Sequence, residues 1–552
     1  MNSDYGNPTR RTLLAGAAGA SALAASTLTA AASPAAATTV RRPAVVPLGV
    51  RRLTLPSGIS MGDVTPNSAV LWSRASGPGR LHAVLRPLGV DGEVLRGRNA
   101  RTLRVAGGWA TETSDFTAKI AARGLPSGSH FDVALMFEGE DGRIGEAGRG
   151  VLATAPGRSA GRAARGNRDD AGAQSFVWTA DTAGQGYGIN EEIGGMRGYA
   201  AMHATRPDFF IHSGDTVYAD GPISATQVEP DGQIWRNVVT EEVSKVAETL
   251  NEYRGRHRYN MMDANLRAMY AEVPVIGQWD DHETVNNWYP GETLEDSRYT
   301  VRDVDTLARR GRQAWQEYMP IADSRANGPG TGFEPARIYR SIDRGPHLEV
   351  FALDMRSHKG ANTDGMETKE TPLLGEEQLR WLVRGLRASK ATWKVIGNDL
   401  PLGLIVPDGK AQESISNADD GAPLGRELEL ARLLKAIKDH DIKNVVFVTG
   451  DVHYCAAHHY SPDRAAFTDF KPFWEFVAGP INAGSFGPNK LDATFGPRVD
   501  FQQAGPPMGS PRSGDHQYFG HVAVMGDGSE FTVRLINANG AVQYTRTLAP
   551  ER

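Results

Sequence analysis

The sequence predicts a mixed α/β protein in which an all-β sandwich precedes a larger, layered α/β domain. Residues 49–155 form short, partly alternating apolar segments separated by turn sequences such as "TPNS", "GPG" and "LPSGS", which is the spacing of a sandwich. Beyond residue 174 the apolar runs end in Asp, Asn or His, and helical stretches lie between several of them. Buried strands separated by helices indicate a layered α/β domain, and 552 residues are enough for both parts.

The strands of the first part are predicted in "AVLWSRA", "LHAVLRPL", "TLRVAGG", "FTAKIAARGL" and "HFDVALMF". Residues 156–174 are rich in Gly, Ala and Arg without apolar periodicity, which predicts a linker. The larger domain is expected over residues 175–549, with helices within residues 237–273 and 376–390. Residues 521–548 are predicted to form antiparallel strands that complete one edge of a sheet.

The N-terminus, residues 1–37, is predicted to be a twin-arginine signal peptide. Arg10 and Arg11 directly precede a weakly apolar Ala/Leu/Gly run, and small residues allow cleavage near Ala37. An ordinary Sec signal or a disordered arm is the alternative. The expected protein is secreted or held in the cell envelope, and the twin-arginine translocase is its partner during export. No later stretch reaches 18 consecutive apolar residues, so no stable membrane anchor is expected.

Composition excludes some functions. The net charge of −5 and the 23% of charged residues give no reason to expect a nucleic-acid partner. The one cysteine, Cys455, rules out an intramolecular disulfide. We expect it to be a small buried residue, with metal ligation as the alternative.

Polar side chains follow six predicted strands. They are Asp181; Asp215 with Tyr218; Asp280, Asp281 and His282; Arg356; Asn398 and Asp399; and Asp451 with His453. Any one of them has an ordinary explanation as a helix cap or turn residue. Together at one edge of a sheet, the acids would repel one another strongly unless cations neutralised them. The set therefore predicts a metal site.

The donor types indicate which metals. Carboxylate, phenolate, amide and imidazole groups without thiolate suit one hard, highly charged ion and one divalent ion. Tyrosine has a pKa near 10 in solution and needs a strong Lewis acid to ionise, so Tyr218 favours ferric iron. The tight turn in "HSGD" is expected to place Asp215 between the two metals.

Five segments resemble those of PhoD-type alkaline phosphatases, within the wider metallophosphoesterase group that includes purple acid phosphatases. These segments are "LPSGISMGDVTPNSAVLWSRA", "SGDTVYADG", "WDDHETVNNW", "LDMRSHKG" and "VTGDVHY". The resemblance implies a fibronectin-III-like sandwich followed by an α/β/β/α metallophosphoesterase domain. It also implies a secreted enzyme of the alkaline phosphatase D type, which hydrolyses phosphate esters with a dimetal-activated hydroxide.

Two alternatives to a phosphatase stay open. The same family includes secreted phosphodiesterases, among them a phospholipase D that releases a head group such as choline from phospholipids. The substrate is therefore a phosphate ester and could be a phospholipid. A more remote alternative is a non-catalytic exported binding protein.

Carried over residue by residue, the resemblance implies two sets of metal ligands. The ferric ligands would be Asp181, Asp215, Tyr218 and His453, with Asp215 bridging the two metals. The ligands of the second metal would be Asp281, Asn398 and Asp451. Oxygen donors in place of imidazoles favour Ca²⁺ there, with Zn²⁺ or Mn²⁺ as alternatives. The family commonly has a cysteine ligand just after the first strand, where this chain reads "WTADTAGQGYG".

The remaining predicted site residues would act on the substrate. His282 is expected to bind phosphate and protonate the leaving group, unless it is a core histidine. Arg356 would clamp phosphate oxygens bidentately, or else pair with a loop acid such as Asp354. Asn286 and Asn287 would contact phosphate or metal, although the polarity of a helix surface would also explain them.

Overall fold

The structure is a computed structural model, and it describes residues 52–97, 100–158, 172–321 and 336–551. The predicted signal peptide and most of the predicted linker lie outside the described residues. Over the ranges that are described, none of the helices has the length and apolarity needed to cross a membrane.

The N-terminal part is a β-sandwich, as predicted. Its strands are β1 (Ile59–Gly62), β2 (Ser68–Arg74), β3 (Gly79–Leu88), β4 (Leu103–Ala110), β5 (Thr117–Arg123), β6 (His130–Gly139) and β7 (Gly148–Ala153). One face is β1-β2-β5 and the other is β4-β3-β6-β7. Alternating apolar side chains such as Leu71, Leu81, Ile120 and Phe131 are buried between the two faces.

The larger part contributes the remaining strands. They are β8 (Gln174–Thr179), β9 (Phe209–Ser213), β10 (Thr226–Val228), β11 (Ile234–Arg236), β12 (Val275–Gln278), β13 (Arg340–Asp343), β14 (Leu348–Ala352), β15 (Trp393–Gly397), β16 (Pro407–Asp408), β17 (Ala411–Gln412), β18 (Val445–Thr449), β19 (Cys455–Tyr460), β20 (Phe473–Val477), β21 (Pro497–Gln503), β22 (Tyr518–Val524), β23 (Phe531–Asn537) and β24 (Val542–Leu548).

Within the described ranges, six α-helices lie between these strands. They are α1 (Arg197–Ala204), α2 (Leu250–Asn260), α3 (Ala264–Glu272), α4 (Val304–Tyr318), α5 (Gly375–Ala388) and α6 (Glu427–Asp439).

Two large sheets face each other across the main core. One has the order β24-β23-β22-β8-β9-β12-β1-β2-β5 and the other β13-β14-β15-β18-β20-β19-β21. Trp178 and Ile211 of the first sheet pack with Val395 and Phe476 of the second. The predicted antiparallel strands near the C-terminus do complete one edge of the first sheet. Cys455 is buried in this core, so the expectation of a small buried residue is confirmed.

Helices cover the outer face of each sheet. Helices α5 and α6 bury Leu382 and Leu434 against Phe447 of the seven-stranded sheet. Helices α1 and α3 cover the outer face of the nine-stranded sheet, where Met269 packs with Phe210. The layer order is therefore α/β/β/α, which confirms the predicted fold class.

The long helical stretch predicted over residues 237–273 is only partly helical. Helix α2 begins after Thr249, whose side chain accepts a hydrogen bond from the Glu252 backbone in a capping box. Helix α3 begins anew after Asp263, which caps the Leu266 N–H. These internal caps divide the stretch, and the β-branched residues 238–240 near its start lie outside any helix.

The sandwich is joined to the layered part through one continuous sheet. Strand β1 runs parallel to β12, with Gly62 opposite Val275. A Cβ at Gly62 would lie 2.5 Å from the Pro320 carbonyl oxygen, so only glycine fits this close approach. Asp63 then forms a bidentate ion pair with Arg340 of β13, at 2.8 Å for both contacts. The domain limits at residues 49–155, 156–174 and 175–549 stay a prediction.

Candidate metal centre

The predicted site residues lie at the carboxyl ends of parallel strands from both large sheets. Strands β8, β9 and β12 are parallel neighbours in one sheet, and β14, β15 and β18 are parallel neighbours in the other. Such strand ends are where α/β proteins place their sites. Asp181, Asp215 and Asp281 follow the first three strands, and Asn398 and Asp451 follow β15 and β18.

The acids and histidines form three overlapping groups. Within each group the donor atoms lie within 4.8 Å of one another. The groups are Asp181, Asp215 and His453; Asp215, Asp281 and His282; and Asp280, Asp281 and Asp451. Asp215 belongs to the first two groups and Asp281 to the last two. Side chains separated by up to 272 positions in the chain are therefore brought together at one place, as the sequence predicted.

The backbone of four predicted ligands is strained. Asp181, Asp215, Asp451 and His453 have φ angles of 68°, 52°, 67° and 60°, a left-handed conformation that costs about 1–3 kcal/mol per residue and is concentrated at functional sites. The turn before Asp215 is tight, as the sequence predicts. A Cβ on Gly214 would lie 2.4 Å from the Asp280 Cβ.

The imidazole of His453 is held in one orientation within the first group. The Gly484 carbonyl oxygen accepts a hydrogen bond from His453 Nδ1 at 2.5 Å, so Nε2 is left as the ligating atom. His453 Nε2 lies 2.8 Å from the Tyr218 hydroxyl and 3.4 Å from Asp181 Oδ1. Asp181, Tyr218 and His453 thus present their donor atoms to one point.

Several buried oxygens of the centre have no hydrogen-bond partner among the described residues. They are Asp181 Oδ2, Asp280 Oδ2, Asp281 Oδ1, Asn398 Oδ1 and Asp451 Oδ2. The orientation of the Asn398 amide explains why its Oδ1 is unpaired. Its Nδ2 donates to the Leu400 carbonyl oxygen at 2.6 Å, so Oδ1 points away from that carbonyl. Buried polar atoms are rarely left unpaired, so these oxygens indicate ligands to bound cations.

The electrostatics also fit cations. Burial, reinforced by the charge of Asp280, raises the pKa of Asp181 and of Asp451 well above the usual range. Burial and the charge of Asp281 do the same to the pKa of Asp215. Burial raises the pKa of Asp280 to about 7 although Arg356 opposes the shift. These carboxyls can all be ionised at neutral pH only with added positive charge, so the residues present fit metal ions.

His282 lies beside the acids with its ring fixed on two sides. Its Nδ1 is 2.7 Å from Asp220 Oδ1, and its ring stacks on Tyr218 with centroids 4.0 Å apart. Its Nε2 faces Asp281 Oδ1 at 3.9 Å. The Nδ1 atom of His282 thus pairs with a carboxylate, and its role on the substrate stays a prediction.

Arg356 does not present two free nitrogens for a bidentate clamp. Its Nε donates to Asp280 and its Nη1 to Glu413. Its Nη2 has no hydrogen-bond partner in the described part of the chain and lies 3.9 Å from Asp281 Oδ1. The alternative of an ion pair is what the structure has, but the partners are these acids and not the Asp354 side chain.

Asn286 and Asn287 lie in a turn and not on a helix. Their backbone N–H groups donate to site acids, Asn286 to Asp220 at 3.2 Å and Asn287 to Asp281 at 2.5 Å. Their side chains are partly exposed, and contact of these side chains with phosphate or metal stays a prediction.

Comparison with known families shows to which family the chain belongs. Residues 176–535 match the PhoD-like phosphatase family, and residues 42–154 match the PhoD-like phosphatase N-terminal domain. The chain belongs to the PhoD-like phosphatase family. The resemblance read from the motifs is thereby confirmed.

Individual relatives agree with this membership. Alkaline phosphatase D of Bacillus subtilis (strain 168) is 32% identical over 312 residues, which are 54% of this chain and 50% of that protein. The chain thus matches about half the length of this curated relative. The solved structure of PhoD superposes with a TM-score of 0.63 at 20% identity, over 90% of this chain and 89% of that one. A purple acid phosphatase, PPD1, isolated from yellow lupin (Lupinus luteus) seeds has a TM-score of 0.52 at 11% identity, over 90% and 74%. These two structures show a shared fold.

Two residues of the centre were missed as members of the site. Asp220, the partner of His282, follows Asp215 by five residues in "SGDTVYADG", and only that shared segment signals it. Glu283 accepts hydrogen bonds from the N–H groups of Asp215, Thr216 and Asp280 at 3.2, 2.6 and 2.8 Å. It therefore fixes the backbone of two site acids in this member of the PhoD-like phosphatase family.

Proposed function

We propose that the protein is a metal-dependent phosphoesterase of the alkaline phosphatase D type. The observation that carries the proposal is the set of three overlapping acid and imidazole groups that share Asp215 and Asp281. Membership of the PhoD-like phosphatase family supports the same reaction class. A binding protein without catalysis would have no need of strained ligands around unpaired buried oxygens.

Two cation positions are proposed. The first would be held by Asp181, Asp215, Tyr218 and His453. The second would be held by Asp215, Asp281, Asn398 and Asp451. The phenol and imidazole of the first position favour Fe³⁺, and the oxygen donors of the second favour Ca²⁺, with Zn²⁺ or Mn²⁺ as alternatives. When bound, such cations supply Lewis-acid activation of water and neutralise phosphate charge.

His282 is proposed as the general acid. The Asp220 carboxylate beside Nδ1 stabilises the protonated ring and fixes its orientation, so that Nε2, which faces the acids, can give its proton to the leaving oxygen. The stacked ring of Tyr218 keeps the imidazole from rotating. A positioned acid of this kind contributes about 10²–10⁴-fold to a rate.

The other polar groups would act on the phosphate. Arg356 contributes a permanent positive charge at the base of the centre, with one guanidinium nitrogen unclaimed. The amide side chains of Asn286 and Asn287 would contact the phosphate. Clamping by Arg356 would then be monodentate.

The test is hydrolysis of p-nitrophenyl phosphate by the full chain, before and after chelation and with metal added back. We expect chelation to abolish release of p-nitrophenol and metal to restore it. His282→Gln should lower kcat by about 10²-fold or more. His203→Gln, at a partly exposed histidine paired with Glu272 on the surface, is the matched control and should leave kcat unchanged. Undiminished activity after complete metal removal would overturn the proposal.

The substrate class is settled by the same assay with other esters. Bis-p-nitrophenyl phosphate and phosphatidylcholine vesicles are compared with the monoester at equal enzyme concentration. A preference for the monoester by kcat/KM supports the phosphatase, and faster release of choline would identify the phospholipase D alternative. Both results leave the metal centre in place.

Export by the twin-arginine pathway is proposed from the sequence of residues 1–37. Arg10→Lys with Arg11→Lys should retain the protein inside the cell, whereas the same change at Arg51 and Arg52 should not. Equal export of both variants would contradict this route.

A further inference from the structure

A gap separates the Arg356 guanidinium from the nearest proposed ligand of the second cation. Arg356 Nη2 and Asp281 Oδ1 lie 3.9 Å apart, beyond hydrogen-bond distance. Neither atom has another hydrogen-bond partner within the described ranges. Both side chains are almost fully buried, at 0% and 3% exposed, so the position of the guanidinium depends on its other buried partners.

Glu413 is the group that holds the Arg356 guanidinium in this position. Its Oε1 accepts hydrogen bonds from Arg356 Nη1 and from Lys359 Nζ, the second at 2.6 Å. All three side chains are at most 1% exposed. The positive charges of Arg356 and Lys359 keep the pKa of Glu413 at about 2 against the effect of burial. This carboxylate therefore carries a full charge at neutral pH. Arg356 is thus bound between Asp280 on one side and Glu413 on the other.

The backbone that carries Glu413 is itself fixed by Arg426. Arg426 Nη1 donates to the carbonyl oxygens of residues 412, 413 and 414 at 3.1, 2.9 and 2.9 Å. Its Nη2 donates to the carbonyl oxygens of residues 360 and 361 and to Asn362 Oδ1 at 3.1, 2.9 and 2.7 Å. One buried guanidinium therefore ties the segment of Glu413 to the segment that follows Lys359.

We propose that Glu413 is a positioning residue that keeps Arg356 off Asp281 and thereby keeps Asp281 available to the second cation. The inference rests on the metal centre proposed above. A guanidinium is a strong competitor for a carboxylate, because close N–H···O contacts of about 2.8 Å are the preferred geometry of such a pair. Closing the gap to Asp281 would need a movement of only about 1 Å.

Loss of the Glu413 charge should therefore weaken cation binding at one position only. In Glu413→Gln, Arg356 loses the charged partner of its Nη1 and closes onto Asp281. The Ca²⁺ dissociation constant should rise about tenfold or more, the usual effect of removing a residue that orients a metal ligand. The first position, which Arg356 does not contact, should bind Fe³⁺ as before.

The experiment is calorimetric titration of Ca²⁺ into the full chain, loaded with Fe³⁺ and freed of divalent ions. Glu429→Gln is the control, because Glu429 is equally buried but accepts its hydrogen bonds from the Leu373 and Leu374 N–H groups. We expect the control to bind Ca²⁺ as the wild type does. Thermal melting of each variant without Ca²⁺ checks that it is folded.

The decisive variant is the double change Glu413→Gln with Arg356→Met. If Arg356 is the competitor, its removal should restore Ca²⁺ affinity to the wild-type level or better. Affinity in the double variant that is as weak as in Glu413→Gln, or weaker, would overturn the inference, as would unchanged affinity in Glu413→Gln. If Glu413→Gln does not fold, Arg356→Met alone should bind Ca²⁺ at least as tightly as wild type, and weaker binding overturns the inference. Wild-type protein that binds no Ca²⁺, Zn²⁺ or Mn²⁺ would instead overturn the metal centre itself.

Discussion

The two proposed cation positions lie side by side but are built in different ways. The first gathers an imidazole and a phenol with its acids, and its ligands are oriented by backbone groups, as the Gly484 carbonyl does for His453. The second is made of oxygens alone and has the cationic Arg356 as an immediate neighbour. Asp215 contributes to the first position and to the group that contains Asp281.

This difference would suit two unlike metals in the two proposed positions. A rigid site with a nitrogen and an ionisable phenol suits a strong Lewis acid that does not exchange. A site of oxygens whose charge is balanced by a nearby arginine suits a weaker, exchangeable divalent ion. The second position should therefore be the one that responds to pH, chelators and changes in the surrounding charges.

The largest effect should come from the shared acid. Asp215→Asn removes a charged ligand from both positions at once, and we expect kcat/KM to fall roughly a thousandfold, or about 4 kcal/mol. The control is Asp208→Asn, just before β9, where the carboxylate accepts a hydrogen bond from the Ser175 N–H at 2.7 Å. If Asp215→Asn lost only one of the two metals by elemental analysis, the two positions would not share this residue.

Acidification of the metal-free protein should act through the buried acids of the centre, and Asp280 gives the pH range. The pKa of Asp280 is about 7 in the folded chain against 3.8 as its ordinary value, so the folded state binds this proton more tightly than the unfolded state does. Stability of the metal-free protein should therefore rise by a few kcal/mol as pH falls from about 7 to about 4. Melting curves at several pH values check this, and the Ca²⁺-loaded protein should lack the gain. A metal-free protein that loses stability over this range would contradict the assignment.

Removal of the phenol should affect the first position alone. Tyr218→Phe keeps the ring that stacks on His282 but deletes the hydroxyl beside His453. Iron should bind about 10–100-fold more weakly, and any visible phenolate-to-iron absorption band should disappear while Ca²⁺ affinity is kept. A colourless, fully active wild-type enzyme without iron would instead favour Zn²⁺ or Mn²⁺.

The smallest effect is expected from Cys455→Ala. Cys455 lies between the two sheets, and its Sγ is 3.7 Å from the Gln503 carbonyl oxygen. The change should cost about 1 kcal/mol of stability, measured by denaturant unfolding, and should leave the content of both metals unchanged. Loss of iron would show that the cysteine serves the first position after all.

Much of the fold and the location of the site could be predicted from the sequence. The strands that end in Asp181, Asp215, Asn398 and Asp451 are continuous apolar runs with a polar end, a pattern that depends only on local order and burial. The helices within residues 237–273 were harder, because capping by Thr249 and Asp263 competes with the helical periodicity of the whole stretch.

What could not be predicted depends on contacts between distant segments. The link from Arg356 to Glu413 joins residues 57 positions apart, and no spacing rule connects an arginine after one strand to a glutamate in a later loop. The pairing of His282 with Asp220 is of the same kind. The left-handed backbone of Asp181, Asp451 and His453 is imposed by the surrounding packing, since these residue types do not require it.

The pairing of β1 with β12 bears on how the protein can be divided. A truncated chain that starts after the sandwich would leave β12 as an uncovered outer strand, with the hydrogen-bonding groups that meet Gly62 and Asp63 turned to water. Exposed strand edges of this kind recruit other chains and lead to aggregation. The N-terminal sandwich thus protects the strand that leads directly into Asp280, Asp281 and His282.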